Sequence, residues 1–116
     1  MRNEFFDEVL TMFMNDSGLD EETCIVVLVT YVKQSTELLE DLKKALLAKD
    51  YSHASELLHR LKGSSGNVRA RRIMTLALES ERSLQNGNLD EVTQMMPTLM
   101  TLVGHLKSAL SLELHM

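Results

Sequence analysis

The chain has 116 residues, 44% hydrophobic and 25% charged, with a formal net charge of −5 at pH 7, proportions that fit one soluble domain with a small core. The acidic balance excludes a general polyanion binder, because sequence-independent nucleic-acid affinity comes from Lys and Arg neutralising phosphates. No apolar run is long enough to span a bilayer, the N-terminus lacks a signal-peptide core, and the single Cys24 has no internal disulfide partner, so a cytoplasmic protein without nucleic-acid or membrane partners is expected.

In chain order, residues 3–15 are predicted to form a short helix with Phe5, Phe6, Val9, Leu10 and Phe13 on one side. Gly18 supplies its stop and Asp20 the N-cap of the next helix, with Glu21 and Glu22 favourable in the first turn. The stretch CIVVLVTYV is rich in β-branched residues and by itself reads equally well as a buried strand. The apolar positions decide for a helix: Ile25, Leu28, Val29, Val32, Thr36, Leu39, Leu42 and Leu46 keep a helical spacing to about Lys49. A third helix, capped by Asp50 or Ser52, runs through HASELLHRLKGSSGN, and a fourth is expected from Val68 to Gln85, stopping at Gly87. Asn88 and Glu91 have the spacing of a capping box for a last helix reaching about Leu112, with Pro97 kinking rather than ending it. Short connections favour antiparallel neighbours. The expected fold is therefore all-α: an up-down antiparallel four-helix bundle over residues 20–112 with a short additional N-terminal helix, in a single domain spanning 1–116.

The third helix holds the most informative stretch, LLHRLKGSSGN. On a wheel of about 100° per residue, Ala54, Leu57, Leu58, Leu61, Ser64, Ser65 and Val68 share a buried sector. His59 lies opposite, on an outer arc with Ser55, Lys62, Gly63 and Gly66. Two glycines inside a helix each cost about 1 kcal/mol relative to alanine, and here they bare the backbone beside an imidazole. From Leu57 to Leu78 there is no Asp or Glu, whereas Arg60, Lys62, Arg69, Arg71 and Arg72, five of the chain's twelve basic residues, all fall there. That gathering predicts an anion-facing patch on an acidic protein. A neutral imidazole has a lone pair able to attack phosphorus, and a nearby lysine attracts phosphoryl oxygens as a point charge.

Other motifs carry less. GSSG has the G-x-x-G form of a KH loop, but that fold needs strands, and the lysine precedes the glycine where a P-loop needs the reverse order. His53 and His59 are not at the i, i+3 or i+4 spacing of helical metal pairs, and neither are His105 and His115. No metal site is expected, and His53, His105 and His115 are expected at the surface or its boundary. Ser64 and Ser65 lack the G-x-S-x-G context of a serine nucleophile.

HRLKGSSGNV, His59 to Val68, resembles the H-x-[LF]-K-G-[SA]-[SA] signature of histidine-containing phosphotransfer (HPt) domains, and the likeness runs from about Cys24 to Leu110. The resemblance implies a helical bundle whose histidine accepts a phosphoryl group from one receiver-domain aspartate and passes it to another. By position, His59 is the implied phosphorylated nucleophile, Lys62 the residue that steadies the phosphoryl oxygens, and Gly63 the clearance for a docking receiver. Glu81 falls where many members have a glutamine that bonds the imidazole or phosphate, so an acidic group is implied to orient the ring here. Arg69 stands where the family usually has glycine.

The expected function is a histidine phosphocarrier in a multistep two-component phosphorelay, with no autonomous kinase activity. The receiver domains of response regulators or hybrid histidine kinases are its implied partners. Ser55, Arg60, Gly63, Gly66, Arg69, Arg71 and Arg72 are the expected contact residues. No cofactor is expected in the chain itself, since Mg²⁺ belongs to the receiver. Two alternatives are a receiver-binding module without transfer, suggested by Arg69 and Glu81, and the phosphorylated domain of a chemotaxis-type histidine kinase. The start at Met1 and the end soon after the last helix favour a free-standing carrier.

Overall fold

The computed structural model describes residues 2–114, with side chains described through Ser111; His115 lies outside the described residues. It contains five α-helices, α1 (Glu4–Ser17), α2 (Glu21–Leu47), α3 (Tyr51–Asn67), α4 (Arg71–Gln85) and α5 (Leu89–Leu114), and no strand among the described residues. None of these helices is long and apolar enough to cross a membrane.

Side-chain caps open the first three helices. Asn3 accepts from the Phe6 N–H at 2.9 Å, Asp20 from Thr23 at 2.8 Å and Asp50 from His53 at 3.2 Å, which makes Asp50 rather than Ser52 the cap of α3. The bonds from Thr23 hold the Asp20 carboxyl below its ordinary value.

The three turns joining α2 to α5 share one device. Asp50 N–H reaches the Ala45 carbonyl, Ala70 N–H that of Ser65, and Asn88 N–H that of Ser83. The residue before each donor, Lys49, Arg69 or Gly87, is left-handed, with φ of 57°, 66° and 76° respectively. This is the Schellman closure, which satisfies the last carbonyls of a helix and most often places glycine at the left-handed position.

The turns explain two departures from the sequence reading. The fourth helix begins at Arg71, not Val68, because the Arg69 turn closes α3 first and leaves Val68 and Ala70 buried between helices. Nor do Asn88 and Glu91 form a capping box: the Asn88 N–H bonds the Ser83 carbonyl, and the Glu91 carboxylate accepts from the Ser83 hydroxyl at 2.8 Å. The last helix does continue through Pro97.

In the packed bundle, α2 lies against α3 and α5, α4 lies against α3 and α5, and α1 covers an edge of α2 and α5. Leu28, Leu42, Leu57, Leu58, Leu61, Ile73, Leu99, Leu106 and Leu110 are fully buried, each contributing on the order of 1.5–3 kcal/mol. The ambiguous CIVVLVTYV stretch is helical throughout. One polar contact fixes the rotation of α3: the buried Tyr31 hydroxyl of α2 and Ser65 Oγ lie 2.6 Å apart. Six residues turn a helix by about 240°, so drawing Ser65 inward helps to turn His59 outward.

Candidate functional site

Leu57, Leu58 and Leu61 bury one side of α3, leaving the His59 side chain 67% exposed on the other. One turn further along, Gly63 is exposed, and a Cβ built there would meet nothing within 4 Å. The backbone beside the imidazole is therefore open, as the wheel anticipates. Gly66 is different. It is half-buried, and a Cβ at that position would come within 3.2 Å of Met74 Sδ on α4. Its small size serves the approach of α4 rather than the outer arc.

The remaining group of the site comes from α4. Glu81 is a buried residue between Ser80 and the buried turn of Ser83 and Leu84, and only 11% of its side chain is exposed. Its Oε2 lies 3.2 Å from His59 Nδ1, and its Oε1 accepts from Lys62 Nζ, also at 3.2 Å. One carboxylate thus bridges the imidazole and the lysine. A carboxylate only accepts hydrogen bonds, so its 3.2 Å approach favours a neutral imidazole with the proton on Nδ1 and the lone pair on Nε2. The arrangement is an exposed imidazole with a carboxylate beside Nδ1 and the Lys62 ammonium one turn away.

The other basic residues do not gather there. Arg60 is exposed and, together with Glu37, Asp41 and Ser64, lines a polar hollow between α2 and α3. Arg69 turns to α1: its Nε donates to Asp16 at 2.8 Å, and its Nη1 to the Gly66 and Asn67 carbonyls at 2.9 and 3.2 Å. Arg72 also reaches α1, with Nη2 3.0 Å from Glu8 Oε2 and the guanidinium over the Phe5 ring. Arg71 is exposed and Ser55 half-buried. Of the five cations expected in a single patch, Lys62 lies beside His59, Arg60 on the α2 side, and Arg69 and Arg72 on the α1 side.

Sequence reasoning missed Asp16 and Glu8 as the partners of Arg69 and Arg72. Nothing in their local spacing signals contacts across so much chain. Among the described residues, no three His, Cys, Asp or Glu side chains converge on a point that would hold a metal ion. His53 and His105 are exposed, away from the Glu81 bridge.

A family model described as "Hpt domain" matches residues 26–112, a span that contains His59, Lys62, Gly63 and Glu81. No curated protein and no solved structure matches the chain.

Proposed function

The chain belongs to the Hpt domain family, which implies histidine phosphotransfer in two-component signalling, and on that premise we propose that it is a phosphocarrier moving phosphoryl groups between receiver-domain aspartates through His59. The closed ring of neighbours α2, α3, α4 and α5 supports reading these helices as an antiparallel up-down four-helix bundle with α1 against its edge. The observation that carries the proposal is the Glu81 contact to His59 Nδ1 at 3.2 Å beneath an exposed ring.

In the forward step the Nε2 lone pair attacks phosphorus of an aspartyl phosphate. The bond from phosphorus to the aspartate oxygen breaks, and the receiver carboxylate leaves with the electron pair. Positive charge grows on the imidazole as the new P–N bond forms, and the Glu81 carboxylate offsets it through the Nδ1 proton. Lys62 Nζ, held one turn from His59 by the same carboxylate, attracts the phosphoryl oxygens. Transfer to a second receiver is the same step reversed, so direction is set by the energetics of the partners. Mg²⁺ in the receiver supplies the remaining charge stabilisation.

The open backbone at Gly63 gives the receiver close access, with Ser55, Arg60 and the exposed Arg71 as further contact residues. Gly66, Arg69 and Arg72 contribute indirectly, by joining α3 to α4 and α1. The test is incubation with a phosphorylated cognate receiver. The wild type acquires an acid-labile, base-stable label, whereas His59→Gln does not. Receiver binding that survives His59→Ala, with no phosphohistidine in the wild type, would identify a binding module instead.

A further inference from the structure

On α2 and α5, which contribute nothing to the His59 cluster, an open apolar groove runs along the surface. Two adjoining hollows of about 620 and 340 Å³ share Lys43 and Met100 as walls, with Leu46 and Met96 in one and Leu39 and Val103 in the other. Met100 is 52% exposed, and Leu47 at the groove's end is 77% exposed. A groove lined by apolar side chains and bordered by polar groups offers a seat for the apolar stripe of a helix. The unbranched methionines also let such a floor adapt to an incoming surface.

Gly104 is an independent sign. It lies in the interior of α5 and lines the groove, and a Cβ there would meet nothing within 4 Å. Its φ is not in the left-handed region, so neither a turn nor packing within this chain requires a glycine. A mid-helix glycine costs about 1 kcal/mol relative to alanine, and its effect here is to lower the groove wall for something approaching from outside.

Charge defines the occupant. Lys43 stands on the wall common to both hollows and Lys107 lines the second, with Glu40 the one carboxylate among the lining residues. Neither lysine is in an ion pair among the described residues. On a chain of net charge −5, this apolar strip is edged by unneutralised cations. We propose that the groove docks an acidic amphipathic helix of a partner protein, with its apolar stripe against Leu39, Leu46, Met96 and Met100 and its carboxylates at Lys43 and Lys107. A second copy of this chain is a poorer match. A symmetric pairing of this face sets its lysines near their own equivalents, and the acidic α1 already buries its apolar side through Phe5, Phe6, Val9 and Phe13.

The test uses the intact protein and three synthetic helical peptides that share one leucine stripe at i, i+3/i+4 and i+7 and differ in glutamate, lysine or glutamine flanks. Backbone amide resonances are followed during each titration. The glutamate peptide is expected to bind about tenfold more tightly than the lysine peptide, to perturb residues of α2 and α5 around Met100, and to weaken as salt is added. Met100→Glu removes binding while circular dichroism shows unchanged helicity and melting. The double variant Lys43→Glu, Lys107→Glu shifts the preference to the lysine peptide. Equal affinity for the peptides, no binding, or perturbations confined to α3 and α4 would overturn the proposal. So would concentration-dependent broadening of groove resonances without peptide, which would assign the face to self-association.

Discussion

Glu81 places Oε2 3.2 Å from Nδ1 of His59, from a position on α4 where its side chain is only 11% exposed while the imidazole is 67% exposed. The carboxylate is buried and the imidazole is not. This asymmetry lets the fold set the ring's orientation while leaving its other nitrogen accessible to a second protein.

Removing that partner tests its role. Glu81→Ala is expected to slow phosphoryl uptake about tenfold, the discounted value of one charged contact to a solvent-exposed ring. Glu81→Gln keeps an amide oxygen able to accept from Nδ1–H but loses the charge, so its rate is expected to fall between those of Glu81→Ala and the wild type. Nitrogen chemical shifts of His59 in wild type should show the Nδ1–H tautomer. Uptake by Glu81→Ala equal to wild type, with the tautomer unchanged, would remove the carboxylate from the account.

Gly63 separates stability from docking. Because a Cβ there meets nothing, Gly63→Ala should stabilise the helix by up to about 1 kcal/mol, raising the melting temperature by up to about 4 °C. Gly63→Leu should fold equally well yet slow transfer from a receiver, since its side chain occupies the open approach. A melting temperature lowered by the alanine, or unimpaired transfer in the leucine variant, would show that Gly63 does not provide clearance.

Arg69 stores backbone strain and offsets it with its side chain. A left-handed non-glycine residue costs about 1–2 kcal/mol, and the bonds to Asp16, Gly66 and Asn67 compensate. Arg69→Ala keeps the strain and loses the bonds, so it should be less stable than Arg69→Gly by about 1 kcal/mol in urea unfolding. Lys49 has the same backbone, with φ of 57°, and its side chain lies exposed; Lys49→Gly should therefore stabilise the chain by a similar amount. Equal stabilities for the two Arg69 variants would contradict this reading.

Alkaline pH should weaken the α2–α3 contact. Burial raises the Tyr31 hydroxyl above its ordinary value of 10.0, partly countered by its hydrogen bond with Ser65. A group whose folded value is raised contributes stability that is fully present below the unfolded value and is lost as pH rises toward the folded one. Urea midpoints of the wild type should accordingly fall faster above about pH 10 than those of Tyr31→Phe. That variant lacks the Ser65 bond and should start about 1 kcal/mol lower near neutrality. Parallel curves for the two proteins would remove Tyr31 as the source.

The helices and the histidine were legible in the sequence because both are written in local periodicity. Leu57, Leu58 and Leu61 define a buried side of α3, and His59 falls opposite it by arithmetic alone. The start of α4 was not legible, because the left-handed stop before it is an arginine rather than a glycine. Gly66 was misplaced for a related reason: a wheel gives angles but not the depth to which Met74 of α4 reaches. The clustering of Arg69 and Arg72 near His59 in sequence likewise gave no sign of Asp16 and Glu8, which are brought to them only when α1 docks.

In the proposed transfer His59 carries the phosphoryl group on Nε2, and proton–phosphorus correlation spectroscopy of the protein phosphorylated by a receiver reads that position. A phosphorus on Nε2 is flanked by two carbon-bound ring protons, so the account predicts couplings to both Hδ2 and Hε1 of His59, absent in His59→Gln. A coupling to Hε1 alone would place the phosphorus on Nδ1, and a signal that persists in His59→Gln would place it on another residue; either result would contradict the account.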